Sequence, residues 1–185
     1  MAAAELPAPR PEAVPGAVYL AREQIATRIS ELAAAISADY AGREPVLLTV
    51  LKGATVFLAD LSRRLAVPHV LEFMAISAYR GASSSSRIRL LKDLDRPIRG
   101  HDLLIVEDVV DTGFTLNYLL KTLRFRGPRS LAVCTLLDRP TLRLADIRLD
   151  YVGFPAPDRY VVGYGFDYRQ RYRNLPDIHL LERGA

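Results

Sequence analysis

Two strand-to-helix turns hold the residue types from which chemistry could be built. The first is Val106-Glu107-Asp108-Val109-Val110-Asp111-Thr112-Gly113-Phe114-Thr115, running from an apolar stretch into a helical pattern. In open α/β sheets, ligands bind beyond the carboxyl ends of the strands, where such turns lie. The backbone amides of Thr112, Gly113, Phe114 and Thr115, the two threonine hydroxyls and the helix N-terminal dipole together would seat a phosphate, and Gly113 lets the backbone approach it. Carboxylates cannot bind that same phosphate. Glu107 and Asp108 therefore suit sugar hydroxyls or a hard divalent cation such as Mg²⁺. A bare helix cap at Asp111 or Thr112 is the alternative that needs no ligand. The second turn, Leu51-Lys52-Gly53, also follows an apolar run, and its lysine stands out: the chain has 22 arginines but only Lys52, Lys92 and Lys121.

These turns need a scaffold, and the apolar patterning supplies one. Residues 21–40 place Ile25, Ile29, Leu32, Ala33 and Ile36 at helical spacing, with Gly42 as a stop. Residues 46–51 form a continuous apolar run of strand length, followed by a helical pattern over 55–65 that ends before Pro68. Residues 70–78 repeat the strand signal, and 103–106 and 130–137 are further apolar strands around a helical stretch closed by Arg126-Gly127-Pro128. Strands that are apolar throughout and alternate with helices predict an α/β fold with a mostly parallel central sheet covered on both faces. Residues 80–100, polar and rich in serine, read as a long mobile loop with a short strand at 88–91. The tail, with aromatic segments at 151–154 and 160–166, reads as a small strand-rich subdomain packed with the N-terminal helix.

Composition narrows the function classes. The chain has 185 residues, 50% hydrophobic and 25% charged, enough for one core plus a small appendage. No apolar run approaches the roughly 20 residues that a membrane span needs. The opening MAAAELPAPRPEAVPGAV lacks a basic segment followed by an apolar one, so residues 1–16 are expected to be a disordered lead-in rather than a targeting peptide. The single cysteine, Cys134, lies in an apolar strand and reads as a buried structural thiol, which suits a reducing, cytoplasmic setting. His69, His101 and His179 show no metal-ligand spacing. The net charge of +4 fits either nucleic acid or a polyanionic small molecule.

The motifs together resemble a known family. VEDVVDTGFTL is similar to the phosphoribosyl pyrophosphate motif of type I phosphoribosyltransferases. Leu51-Lys52-Gly53 resembles that family's pyrophosphate loop, Ser77-Ala78-Tyr79 the Ser-x-Tyr of its mobile lid, and PDRYVVGYGFDYRQRYRNLP the purine-binding tail of its hypoxanthine-guanine members. The resemblance spans roughly residues 20–182. It implies the type I phosphoribosyltransferase fold over residues 17–185, with a small hood built from about 17–42 and 155–185. It also implies transfer of a phosphoribosyl group from phosphoribosyl pyrophosphate to a 6-oxopurine, with Mg²⁺, in a dimer or tetramer.

On the same basis, Glu107, Asp108, Asp111, Thr112, Gly113, Phe114 and Thr115 would hold the ribose phosphate, although Phe114 has no role of its own. Lys52, Gly53 and Arg173 would meet pyrophosphate, and Ser77 and Tyr79 would close over it. Tyr160 would stack on the purine, Val161 would offer backbone groups to its edge, and Asp111 would manage the ring-nitrogen proton. Asp167, with Glu107 and Asp108, would serve the metal. Where the family commonly has a lysine facing the purine 6-oxo group, this chain has Arg139, a substitution that bears on the ranking of hypoxanthine, guanine and xanthine. The competing class is a nucleic-acid-binding regulator that senses a nucleotide with the same loop, motivated by basic charge and the RQRYR run. The lid and purine tail disfavour it, and with it a nucleic-acid partner.

Overall fold

The apolar runs that read as strands pair side by side, because each is buried on both faces and can satisfy its backbone only through neighbours of the same kind. The computed structural model describes residues 13–80 and 86–183. In chain order these form β1 (Ala13–Leu20), α1 (Arg22–Asp39), β2 (Val46–Leu51), α2 (Thr55–Ser62), β3 (Val70–Arg80), β4 (Ser86–Lys92), β5 (Asp102–Val110), α3 (Phe114–Arg124), β6 (Ser130–Asp138), β7 (Tyr151–Pro155), β8 (Val161–Val162) and β9 (Ile178–Arg183), with a single 3-10 turn at Pro140–Leu142. The large sheet has the order β4-β3-β2-β5-β6-β7 and a smaller one has the order β1-β9-β8. All pairings in the large sheet are parallel except that of β4 with β3.

Alternate residues of the central strands feed two cores. Leu47, Leu104, Val106, Cys134 and Leu136 pack toward α1 and α2, in a cluster that also takes in Val161, Phe166 and Ile178 of the C-terminal segment. Leu48, Leu103, Ile105 and Val133 pack toward Leu116, Leu119, Leu120 and Leu123 of α3 on the other face. Cys134 is fully buried and burial raises its thiol well above the ordinary value, so it is an inert filler of the first core. Where β5 and β6 begin, Asp102 is fully buried; Arg129 Nε donates to one carboxylate oxygen at 3.0 Å and Ser130 Oγ to the same oxygen at 2.6 Å. These bonds hold its carboxyl below the usual range.

The structure corrects four sequence expectations. Residues 13–16, part of the expected lead-in, belong to β1, which pairs antiparallel with β9; residues 1–12 lie outside the described part. Pro15 is tolerated because β1 is an edge strand, and Gly16 leaves room for the Glu182 side chain, whose Cδ would lie 2.2 Å from a Cβ there. Within the stretch over 80–100, the short strand expected at 88–91 is present but longer, as β4, and pairs with β3 from Ala75 to Arg80, so less of the stretch is loop than expected, while residues 81–85 lie outside the described part. Glu107 and Asp108, expected in a turn, lie within β5, because β6 continues alongside and pairs Glu107 with Thr135 and Val110 with Asp138. Finally, β7 joins the large sheet parallel to β6 rather than the small one, and only Val161–Val162 of the second aromatic segment is a strand.

Phe57, with no exposed surface, anchors α2 in the first core. Truncation to alanine removes a large buried side chain and leaves a cavity, so Phe57→Ala is expected to lose about 3–5 kcal/mol of stability. A thermal melt should show the midpoint lowered by roughly 10 °C; an unchanged melt would contradict this placement.

Candidate active site

The carboxyl ends of β2 and β5 and the turn after β8 converge at one place. Two adjoining hollows open there and share Val109 and Asp111. One, of about 190 Å³, is lined by Glu107, Asp111, Thr112, Gly113 and Thr115; the other, of about 200 Å³, by Asp108, Arg139, Tyr160, Val161, Phe166, Asp167 and Arg173. Larger hollows of about 470 and 560 Å³ lie at the start of β6 and β7 and beside α1, and neither gathers the acidic pair or the Thr112–Gly113 turn.

The first hollow has the build of an anion seat. Gly113 caps α3 with a φ of 80°, a left-handed conformation that a side chain would strain, and a Cβ there would sit 2.8 Å from Ile147 Cδ1. The following backbone enters α3 directly, presenting the amino end of an 11-residue helix. Asp111 makes no cap bond: the N-cap is Gly113, with no side-chain bond to the helix start. The ligand-free capping alternative thereby loses its main support. Phe114 and Thr115 are exposed at the start of α3.

The acidic pair faces both hollows. Withdrawal from water raises Glu107 to about 8, helped by the neighbouring Asp108 charge. Burial also raises Asp108, to about 6, against the lowering effect of the Val109 amide, which donates to Asp108 Oδ1 at 2.8 Å. Gly53 approaches from β2: a Cβ there would lie 1.9 Å from Asp108 Oδ2 and 3.6 Å from Arg173 Nη1. The Leu51–Lys52 peptide before it is cis. Lys52 is exposed, with Nζ donating to Gln170 Oε1 at 3.2 Å, so the Lys52 loop and the Asp167–Arg173 turn meet.

That turn carries Arg173, whose Nη2 pairs with Asp167 Oδ1 at 2.6 Å and whose Nη1 donates to Gly165 O at 2.6 Å. Opposite lies Arg139, its Nη1 3.2 Å from Asp111 Oδ1. Both Asp111 Oδ1 and Arg139 Nε are buried without a hydrogen-bond partner. Tyr160 is 62% exposed at the rim, edge-on to Tyr168 with centroids 6.5 Å apart.

The two residues expected in a lid stand apart from this set. Ser77 lies in β3 and lines neither hollow, and Tyr79 is placed by its backbone, opposite Arg87 of β4. Among the described residues no three His, Cys, Asp or Glu side chains converge on a metal position, and the histidines serve elsewhere: His69 contacts Ser62 Oγ and His179 contacts Gly16 O. Sequence reading also passes over Arg143, Asp138 and Gln170, whose contacts with the site are nonlocal.

A parallel α/β sheet with an anion seat after one strand and an acidic pair beside it defines a protein that handles a phosphorylated ligand. The phosphoribosyl transferase domain model matches residues 17–169, and the chain belongs to that family. It is 50% identical over 186 residues to the hypoxanthine-guanine phosphoribosyltransferase of Mycobacterium avium, covering 95% of this chain and 92% of that protein. It is 48% identical to the hypoxanthine phosphoribosyltransferase of Salmonella typhimurium, covering 87% of this chain and 92% of that one. The crystal structure of a hypoxanthine phosphoribosyltransferase from Staphylococcus aureus superposes with a TM-score of 0.86 at 41% identity, over 91% of this chain and 92% of that chain.

The raised acidic pair has a consequence for stability. Glu107 and Asp108 hold protons more tightly folded than unfolded, so their contribution is fully present below the ordinary carboxylate range near about pH 4 and is lost as pH rises from there, the Asp108 loss ending at about 6 and the Glu107 loss at about 8. Chelator-treated, ligand-free protein is therefore expected to lose stability from about pH 4 to about pH 8 in urea titrations, and Glu107→Gln to lessen that decline throughout and to level it above about pH 6. A wild-type profile level across the window would refute the assignment.

Proposed function

We propose that this phosphoribosyltransferase carries the 5-phosphoribosyl group from phosphoribosyl pyrophosphate to hypoxanthine or guanine, forming IMP or GMP and pyrophosphate in purine salvage. The observation that carries the choice of base is the orphaned pair beside the second hollow. Asp111 Oδ1 is buried and ion-paired with Arg139 Nη1 at 3.2 Å but accepts no hydrogen bond, and Arg139 Nε is a buried donor that makes none. A 6-oxopurine offers a ring N–H next to a carbonyl oxygen and satisfies both, whereas adenine sets an amine, itself a donor, against Arg139. The exposed ring of Tyr160 at the rim offers a flat apolar face for the base.

In this reading the Thr112–Thr115 turn holds the 5′-phosphate, and Glu107 and Asp108 hold the ribose hydroxyls. The small sheet and its Asp167–Arg173 turn form a hood over the base. Lys52, Gly53 and Arg173 face the leaving pyrophosphate. The bond from C1 of the ribose to the pyrophosphate oxygen breaks as that from C1 to the purine ring nitrogen forms, through an oxocarbenium-like state that fixed charges stabilise. Asp111 takes the proton the purine must lose. Ser77 and Tyr79 are assigned to closing over the pyrophosphate and excluding water.

Mg²⁺ fits the donors present. Glu107, Asp108 and Asp167 supply the hard carboxylate oxygens that such a cation takes, with substrate phosphates completing its shell. When bound, it neutralises charge on the leaving pyrophosphate. We also place the protein in the cytoplasm, where its lone buried thiol is at home, and infer a dimer or tetramer, in which exposed Phe125 and Leu144 are side chains a second copy would cover.

Purified protein with phosphoribosyl pyrophosphate and Mg²⁺, assayed in parallel on hypoxanthine, guanine, xanthine, adenine and uracil, is expected to turn over hypoxanthine or guanine and to stop on adding chelator. No turnover with any base would refute the proposal. Asp111→Asn is expected to keep binding phosphoribosyl pyrophosphate, measured by calorimetry, while turnover falls by roughly 10²-fold or more. Undiminished turnover would remove Asp111 from the chemistry.

A further inference from the structure

We infer that Arg143 is the positioning residue that shapes the phosphate loop, acting on the transfer through that loop without touching a substrate. The inference rests on the phosphoribosyltransferase reading above. Its side chain is 15% exposed and meets three acceptors at once. Nε donates to Asp111 O at 3.0 Å, Nη2 donates to Val110 O at 3.1 Å, and the same nitrogen pairs with the Asp138 carboxylate.

The residues that follow continue the grip. The amides of Leu144 and Ala145 both donate to Thr112 O, at 3.1 and 3.2 Å. Three successive carbonyls, of Val110, Asp111 and Thr112, are thus held from the one 143–145 segment. In a trans peptide the C=O and the next N–H point in opposite directions. Holding these three oxygens on one side therefore turns the amides of Asp111, Thr112 and Gly113 to the other, as an anion seat requires. The contact is close: a Cβ on Gly113 would sit 3.1 Å from Arg143 Cδ.

The same guanidinium couples the two halves of the site. Asp138, at the end of β6, precedes Arg139, so Arg143 ties the loop that would hold the phosphate to the strand end that would meet the purine. Lysine would not serve, because an ammonium lacks the planar fork that reaches several acceptors in one plane.

Steady-state kinetics of Arg143→Lys, varying each substrate in turn, tests this. The KM for phosphoribosyl pyrophosphate is expected to rise about 10-fold or more and kcat to fall, while the KM for the base changes by less than roughly threefold, because misplacement of a binding loop by even 1 Å is costly. A merely structural role would lower the folded fraction and leave the KM for phosphoribosyl pyrophosphate unchanged in the folded enzyme. Hydrogen exchange of the ligand-free protein is a second readout that needs no activity. The amides of residues 111–116 are expected to exchange faster in Arg143→Lys while the later turns of α3 keep their protection. Should Arg143→Lys fail to fold, Asp138→Asn, which loosens one anchor, is expected to shift both readouts the same way to a smaller degree. Unchanged KM and unchanged exchange in the folded variant would overturn the inference. Wild-type protein inactive on every base would overturn the functional reading instead, leaving exchange to decide whether Arg143 holds the loop.

Discussion

Three segments far apart in sequence meet at the site with no room between them for one methyl group. A Cβ on Gly53 would lie 1.9 Å from the Asp108 carboxylate, and a Cβ on Gly165 would lie 2.3 Å from Gly53 O. Gly165 also has a φ of 95°, which a side chain would strain. The turn after β8 is therefore locked backbone against backbone on the Gly53 turn after β2, and the Gly53 backbone sits directly on the Asp108 carboxylate of β5. Everything else at the site depends on this approach: it sets Arg173 beside the acidic pair and brings Gln170 to Lys52.

The same closeness explains the electrostatics. Two adjacent acids at the end of a buried strand, Glu107 and Asp108, lose much of their hydration, and their affinity for protons rises. Such a pair is costly in the absence of a partner and rewards one that brings positive charge or hydroxyl donors. Arg139 and Asp111 repeat the pattern beside the second hollow, each with a buried atom left without a hydrogen bond.

The sheet provides the rigidity that such a site needs. β2, β5 and β6 lie side by side in the middle of the large sheet with α1 and α2 on one face and α3 on the other, so the turns at their ends spring from the most buried part of the molecule. The second sheet is bound into the first core through Val161, Phe166 and Ile178, which fixes the Asp167–Arg173 turn relative to the strands below it.

The amino-acid sequence by itself determined the local units. Runs such as residues 46–51 and 103–106 are apolar at every position, and a segment of that kind has to be an interior strand; Thr112-Gly113 before a helical pattern has to be a tight entry into α3. The 107–115 and 51–53 segments stood out for the same reason, since the residue types that mark them lie within a few consecutive positions. Tertiary structure alone decided what depends on partners distant in the chain. The extension of β5 through its acidic pair follows from β6 lying alongside, β7 joins the large sheet by pairing with β6, and β1 forms against β9 despite Pro15 and Gly16. Arg143 is the clearest case: among 22 arginines nothing local marks it, and only the folding of residues 138–145 back over the 110–113 turn places its guanidinium against three acceptors. Local pattern sets what a segment can be, whereas nonlocal hydrogen bonding sets where it goes and what it holds.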